Sequence, residues 1–150
     1  MAKPNEKLAD ALRALKRLQG KYHGVIESGD IKEAHRAILV EEGFLRLVMK
    51  GWYICANPRD HEGDSTAWHA NFWSFLSGYL AKRFKKRYSL NADASLLLHT
   101  RSTLIPRQVT VITAESGTSV LELPYGNSVL IYPDKKNMPR YQVELNGLHA

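Results

Sequence analysis

The sequence predicts an α+β protein in which helices come first and strands follow. Apolar residues recur at helical spacing from Leu8 to Leu18, and again from Trp68 to Phe84. Beyond Pro106 the pattern changes to a period of two, which is typical of half-buried strands. Because the helical patterns precede the alternating ones, the fold class is predicted to be α+β.

The first third of the chain is predicted to hold two helices with clear end signals. The first helix begins at Pro4–Asn5 and ends at Gly20. A polar cluster over residues 28–30 precedes a second helical pattern over residues 31–42, and Gly43 ends it because glycine readily adopts a positive φ. The residues of this pattern that are predicted to face inward are Ile31, Ala34, Ile38 and Leu39.

A β-hairpin is predicted directly after Gly43. Two β-prone runs, Phe44–Met49 and Trp52–Cys55, are separated by the pair Lys50–Gly51. Two such runs joined by two residues, the second a glycine, are typical of a tight hairpin.

The polar loop over residues 57–63 is the predicted boundary, which divides the chain into residues 1–57 and 58–150. After it, Asp64 and Ser65 are predicted to cap a long helix that reaches about Arg87.

A short helix is predicted over residues 91–100, followed by strands around Val109–Val111, Val120–Leu123 and Val129–Tyr132. Gly117, Gly126 and the step Pro133–Asp134 separate those strands.

Residues 28–56 are predicted in the order helix, short turn, helix, glycine, strand, Lys-Gly turn, strand. A winged helix-turn-helix has this order, with the second helix of the pair in the DNA major groove and the hairpin against the flanking backbone. The fold prediction is therefore an N-terminal winged helix-turn-helix followed by a helix-plus-β-sheet segment.

This order assigns candidate DNA contacts to basic side chains. Arg36 is expected to pair with a guanine edge and Lys32 with a phosphate, with His35 beside them. Arg46 and Lys50, on the hairpin, are expected to hold the flanking backbone. The basic run at the end of the long helix is expected to add phosphate contacts through Lys82, Lys85, Lys86 and Arg87, although most such runs are solvated helix ends.

Acidic residues on the same predicted face keep a second interpretation open. Glu33, Glu41 and Glu42 would repel phosphate. A helix followed by a hairpin is also a common arrangement, and some such modules contact only other proteins. The sequence therefore leaves DNA binding and protein binding as alternatives.

Composition limits the other classes of function. Lysine and arginine number 21 against 15 acidic residues, which gives a formal net charge of +6 and favours polyanions. Cys55 is the single cysteine, so no intramolecular disulfide forms, and this usage fits a cytoplasmic protein. The N-terminus lacks the apolar stretch of a signal peptide, and no segment is predicted to span a membrane.

No catalytic or metal site is predicted. Cys55, His61 and His69 match no standard zinc spacing, and Cys55 is expected to act as a small hydrophobic residue. Ser95 and His99 lie four apart without an evident oxyanion pocket, so capping and packing are the favoured roles. The chain is accordingly expected not to be an enzyme and to need no cofactor.

Several motifs resemble a known family. The run Glu41–Ile54 resembles the signature of AbiEi-type antitoxin regulators. A set of spaced motifs over most of residues 15–150 is similar to the N-terminal region of a subset of bacterial Fic-family proteins. That set comprises Val48–Ile54, Ser65–Trp68 with Phe72–Trp73, Ser89–Leu90 with Ser95–Leu96, and Pro106–Gln108.

The resemblance implies a winged helix and then an antitoxin-like segment, which precede a Fic catalytic domain in longer relatives. The Fic catalytic motif is absent, since His69–Phe72 and Gly126–Ser128 do not match it. The family segment continues past residues 146–149, so the chain is expected to be a fragment of something longer.

Two functions are expected on these grounds. The first is a DNA-binding regulatory module, a transcriptional (auto)regulator of toxin–antitoxin or Fic-associated type. Its expected partner is double-stranded DNA, and a homodimer is one expected oligomeric form. The alternative is an interaction or inhibitory domain that restrains a partner toxin or an attached Fic catalytic domain.

Overall fold

The contacts within the computed structural model divide the chain into two units, residues 1–71 (unit 1) and 72–150 (unit 2). The division lies inside a helix, whereas the sequence predicts a boundary in the polar loop before it. The domain boundary between residues 57 and 58 therefore stays a prediction. The structure describes residues 3–22, 24–61, 63–102, 104–115, 117–139, 144–145 and 148–149.

Unit 1 combines helices with a small antiparallel sheet. Its elements are α1 (Pro4–Tyr22), β1 (Val25–Glu27), a 3-10 turn (Ser28–Asp30), α2 (Glu33–Glu41), β2 (Leu45–Met49), β3 (Trp52–Cys55) and the start of α3 (Thr66–Phe84). The strand order is β1-β3-β2, so β3 lies in the middle.

The core of unit 1 lies between the two helices and one face of this sheet. Leu39 of α2 is fully buried, and Leu45 of β2 is 1% exposed. Both belong to one cluster with α1 and β1, which also contains Ala11, Leu15, Ile26 and Ile31. The cluster explains the orientation of α2, because Leu39 is the one residue of that helix that is buried in it.

The hairpin prediction is confirmed. β2 pairs with β3 through Lys50–Gly51, and Gly51 has a φ of +91°. The register shifts between Leu47 and Met49, so one strand carries an extra residue there. Gly43 also ends α2 as predicted, with a φ of +84°.

Three local predictions in unit 1 are wrong. α1 passes through Gly20 to Tyr22. The first helix of the predicted helix-turn-helix is a single 3-10 turn, because only three turn-forming residues separate β1 from residue 31. The Asp30 carboxylate closes this turn by accepting the N–H of Glu27. Ala34 is exposed, since the inward side of α2 runs through His35, Ile38 and Leu39.

Unit 2 contains the rest of α3 and the larger sheet. Its other elements are β4 (Tyr88–Leu90), α4 (Ala92–His99), β5 (Gln108–Thr113), β6 (Ser119–Glu122), a 3-10 turn (Pro124–Gly126), β7 (Ser128–Pro133), a 3-10 turn (Lys135–Asn137), β8 (Glu144–Leu145) and β9 (Leu148–His149). The four-stranded sheet has the order β4-β5-β7-β6, in which β5 and β7 are parallel and the other pairs are antiparallel.

The short helix and the three strands of the last third are confirmed. Asn91 caps α4 by accepting the N–H of Ala94 at 3.0 Å. Alternate residues of β5 and β7 are buried, namely Val109, Val111, Val129 and Ile131, as a period of two requires.

The long helix ends earlier than predicted. α3 stops at Phe84, because Lys85 adopts a φ of +56°, which leaves the helical region. The apolar residues that recur at helical spacing form its buried stripe, namely Trp68, Phe72, Phe75, Leu76, Leu80 and Phe84. Along the described part of the chain, every helix is too short or too polar to cross a bilayer.

Candidate nucleic-acid interface

Two hydrogen bonds at Ser28 organise one end of unit 1. The Ser28 N–H donates to the Gly51 carbonyl oxygen at 2.9 Å, which holds the hairpin turn against the 3-10 turn. The Arg36 guanidinium donates to the Ser28 carbonyl oxygen at 3.0 Å, which holds the first turns of α2 against the same residue. Lys50 directly precedes Gly51 in the hairpin turn, and Lys32 directly precedes α2, so both lysines flank segments that are held at Ser28. We call Lys32, Arg36 and Lys50 the cationic end.

Lys32 and Lys50 are exposed, whereas Arg36 is half-buried. The Arg36 guanidinium lies 5.7 Å from the centre of the Tyr53 ring, a distance at which a cation is attracted to the ring face. A guanidinium has five N–H donors, and the bond to Ser28 uses one of them. Arg36 is therefore a positioned cation rather than a mobile one.

The start of α2 adds positive potential at the cationic end. Lys32 is the N-cap of α2 and has an extended backbone without a capping side chain. The first N–H groups of a helix carry partial positive charge, which attracts anions. Glu33 in the first turn opposes part of this attraction.

His35 lines a cleft between α1 and α2 of about 560 Å³ together with Lys32, whereas Arg36 lines a different groove. The side chains that line the cleft are Asp10, Arg13, Ala14, Arg17, Leu18, Asp30, Ile31, Lys32 and His35. Arg17 extends the positive charge beside Lys32, whereas Arg13 is paired with Asp10. Neither arginine is among the DNA contacts that the sequence predicts.

Arg46 does not join the cationic end. Successive residues of a strand point to opposite faces, so Arg46 lies on the face opposite Leu47 and its partner Tyr53. The Arg46 guanidinium donates to the Asp64 carbonyl oxygen at 2.7 Å and lies 3.9 Å from the Asp60 carboxylate. These bonds connect the hairpin to the polar loop, which is a structural role.

The Arg46→Ala substitution is expected to lower the free energy of unfolding by about 1–3 kcal/mol, because a charged hydrogen bond to a part-buried carbonyl is lost. Urea titration followed by circular dichroism measures this loss. Arg59→Ala, which removes an exposed arginine from the same loop, is the control and should change stability by less than about 0.5 kcal/mol. Equal losses in the two variants would contradict a structural role for Arg46.

The Asp64 and Cys55 side chains also have ordinary structural environments. Hydrogen bonds from Thr66 lower the pKa of the Asp64 carboxyl, as a helix cap does. Burial raises the pKa of the Cys55 thiol, which disfavours the reactive thiolate.

Within the ranges that the structure describes, no group of three or more His, Cys, Asp or Glu side chains is arranged to hold a metal ion. The Ser95 hydroxyl donates to the Leu90 carbonyl oxygen at 3.2 Å.

The basic run of unit 2 is divided by the end of α3. Lys82 lies in the last turn of the helix, and Lys85, Lys86 and Arg87 lie between that turn and β4. All four side chains are exposed. They form a dense positive segment of unit 2.

Neither the family models nor the curated proteins give a match to this chain. The resemblance to AbiEi-type regulators and to the N-terminal region of Fic-family proteins therefore stays a prediction.

Proposed function

We propose that the protein is a DNA-binding regulatory module, a transcriptional regulator of toxin–antitoxin or Fic-associated type, whose cationic end contacts duplex DNA. The hairpin that follows α2, with β1 paired to its second strand, supports a winged helix in which a 3-10 turn takes the place of the first helix of the pair. The observation that carries the proposal is the pair of hydrogen bonds at Ser28, because they hold the hairpin turn and α2 at one end.

Each member of the cationic end has a distinct role in this proposal. Lys32 and Lys50 are exposed and neutralise phosphates, which supplies affinity without sequence preference. Arg36 is held by Ser28 and Tyr53, and its remaining donors suit the bidentate acceptor pair of guanine. The basic segment of unit 2, Lys82 with Lys85, Lys86 and Arg87, is proposed as an auxiliary phosphate contact.

Binding is expected to depend on salt. Each neutralised phosphate adds about −0.9 to the slope of log affinity against log salt concentration. The double variant Lys32→Ala/Lys50→Ala should therefore make the slope shallower by about 1.8. Fluorescence anisotropy with a labelled duplex from upstream of the coding sequence measures the slope.

The control for this experiment is Lys135→Ala/Lys136→Ala, which removes the same charge from an exposed turn of unit 2. The control should keep the slope of the unmodified protein. If the slope becomes shallower by the same amount in both double variants, or if the affinity does not change with salt, the cationic end is not the DNA contact.

The alternative function, an interaction or inhibitory domain for a partner toxin or a Fic catalytic domain, stays a prediction. A pull-down with a co-expressed partner distinguishes it, because stable capture by a variant that has lost DNA binding would favour the alternative.

A further inference from the structure

A groove of about 390 Å³ lies between α2 and the β2–β3 hairpin. Its floor is apolar and consists of Ala37, Val40, Leu47 and Tyr53. Val40 is 39% exposed and Leu47 is 56% exposed, so both are large hydrophobic side chains in contact with solvent. Single exposed hydrophobic residues are normal on a protein surface, but here two of them line the same concave site.

The rim of the groove is acidic. Glu33 and Glu41 both line it, and neither carboxylate has an ion-pair partner among the residues that the structure describes. Arg36 is the one cation in the lining, and its guanidinium is held by the Ser28 carbonyl oxygen and the Tyr53 ring. The guanidinium keeps its positive charge, so two carboxylates stand against one cation and the charges of the lining are negative in sum.

The two carboxylates have a spacing that constrains a ligand. Glu33, Ala37 and Glu41 are four residues apart in α2, so they follow one face of the helix. Eight residues of an α-helix rise about 12 Å, which is the separation of the two glutamates along the axis. A second helix lying along α2 would match them with cations seven or eight positions apart.

We propose that this groove binds an amphipathic helix of a partner protein, with leucine-like side chains on the floor and lysine or arginine at both glutamates. Helix-in-groove recognition uses this combination of apolar anchors and charged flanks. The inference does not rest on DNA binding, because it uses the glutamates of α2, although Arg36 belongs both to the groove lining and to the cationic end. Duplex DNA is a poor occupant, since Glu33 and Glu41 would face its phosphates.

A second copy of the chain fits less well through α1, its most basic helix. The exposed side chains of α1 include several cations, but its leucines are buried or half-buried, so that helix has no exposed apolar stripe for the groove floor. Sedimentation distinguishes association of two copies from binding of a partner helix.

The test uses two labelled synthetic helices of about 15 residues, the length at which an isolated helix becomes marginally stable. Both carry leucines four residues apart, and they differ only in flanking residues seven apart, which are lysines in one peptide and glutamates in the other. Because the protein has a net charge of +6, general electrostatic attraction would favour the glutamate peptide. Tighter binding of the lysine peptide therefore reports the local charge of the groove. An ionic strength of about 0.15 M limits the influence of distant charges.

Two variants locate the binding site. Leu47→Ser is expected to lower the affinity for the lysine peptide about tenfold or more, because an apolar anchor is lost. The double variant Glu33→Lys/Glu41→Lys is expected to reverse the preference toward the glutamate peptide. The controls are Leu96→Ser, which removes a leucine of unit 2 that is 61% exposed, and Glu122→Lys on β6; both should leave the peptide affinities unchanged.

Three results would overturn the proposal. The first is equal or tighter binding of the glutamate peptide to the unmodified protein. The second is a lysine-peptide affinity that Leu47→Ser does not change, while circular dichroism shows that the variant is folded. The third is a dimer in sedimentation that Leu47→Ser converts to a monomer, because the groove would then hold a second copy.

Discussion

Replacing Phe75 with alanine is expected to lower the free energy of unfolding by about 3–5 kcal/mol. Phe75 lies in α3, its side chain is fully buried, and its ring is stacked on the Tyr79 ring with 5.9 Å between the centres. The substitution removes the transfer free energy of the ring and leaves a cavity that a close-packed core fills only in part. Urea titration of the full chain, followed by circular dichroism of the helix signal, measures the loss.

The neighbouring residue provides the control for Phe75. Ser74 is exposed on the same helix, and Ser74→Ala slightly favours helix formation. It should change the unfolding free energy by less than about 0.5 kcal/mol. A loss below about 1 kcal/mol for Phe75→Ala would mean that this part of α3 is not in a packed core.

Leu39→Ala is expected to lower the free energy of unfolding by about 2–5 kcal/mol. Leu39 is the buried residue of α2, and it packs in the cluster that contains Leu15 and Leu45. The same urea titration applies. Val40→Ala is the control, since Val40 is the next residue and is 39% exposed. This variant should lose less than about 1 kcal/mol of unfolding free energy.

The position of α2 gives Leu39→Ala a second expected effect. Lys32 and Arg36 are at the start of this helix, and Leu39 anchors it to the core. If the variant is studied at a temperature where it is still folded, its affinity for DNA should fall, because looser anchoring increases the entropy lost on binding. If the variant is destabilised but binds DNA as tightly as the unmodified protein, DNA affinity does not depend on the anchoring of α2 to the core.

Local patterns were sufficient for most elements of the fold. The Lys50–Gly51 turn, the Gly43 stop and the Asn91 cap are each determined by residues within a few positions of one another. The sequence does not predict the early end of α3, because Lys85 adopts a positive φ, which is uncommon for a residue other than glycine.

The composition of the candidate interface was harder to predict, because it depends on contacts between distant residues. A strict period of two would place Arg46 on the same face as Lys50. The register shift at Leu47–Met49 interrupts that period, and the Asp64 carbonyl oxygen binds Arg46 from 18 positions away. The bond between Ser28 and Gly51, which brings the cationic end together, also has no local signal in the sequence.

The position of β7 between β5 and β6 affects the order in which unit 2 assembles. β6 and β7 form an antiparallel pair across the short connection 123–127, which the Leu123 N–H closes by donating to the Asn127 carbonyl oxygen at 2.9 Å. β5 joins β7 in parallel only after the chain has passed through the whole of β6. Since short loops close with a smaller entropy loss than long ones, we expect this hairpin to form first, and the other edge of β7 then to pair with β5, followed by β4.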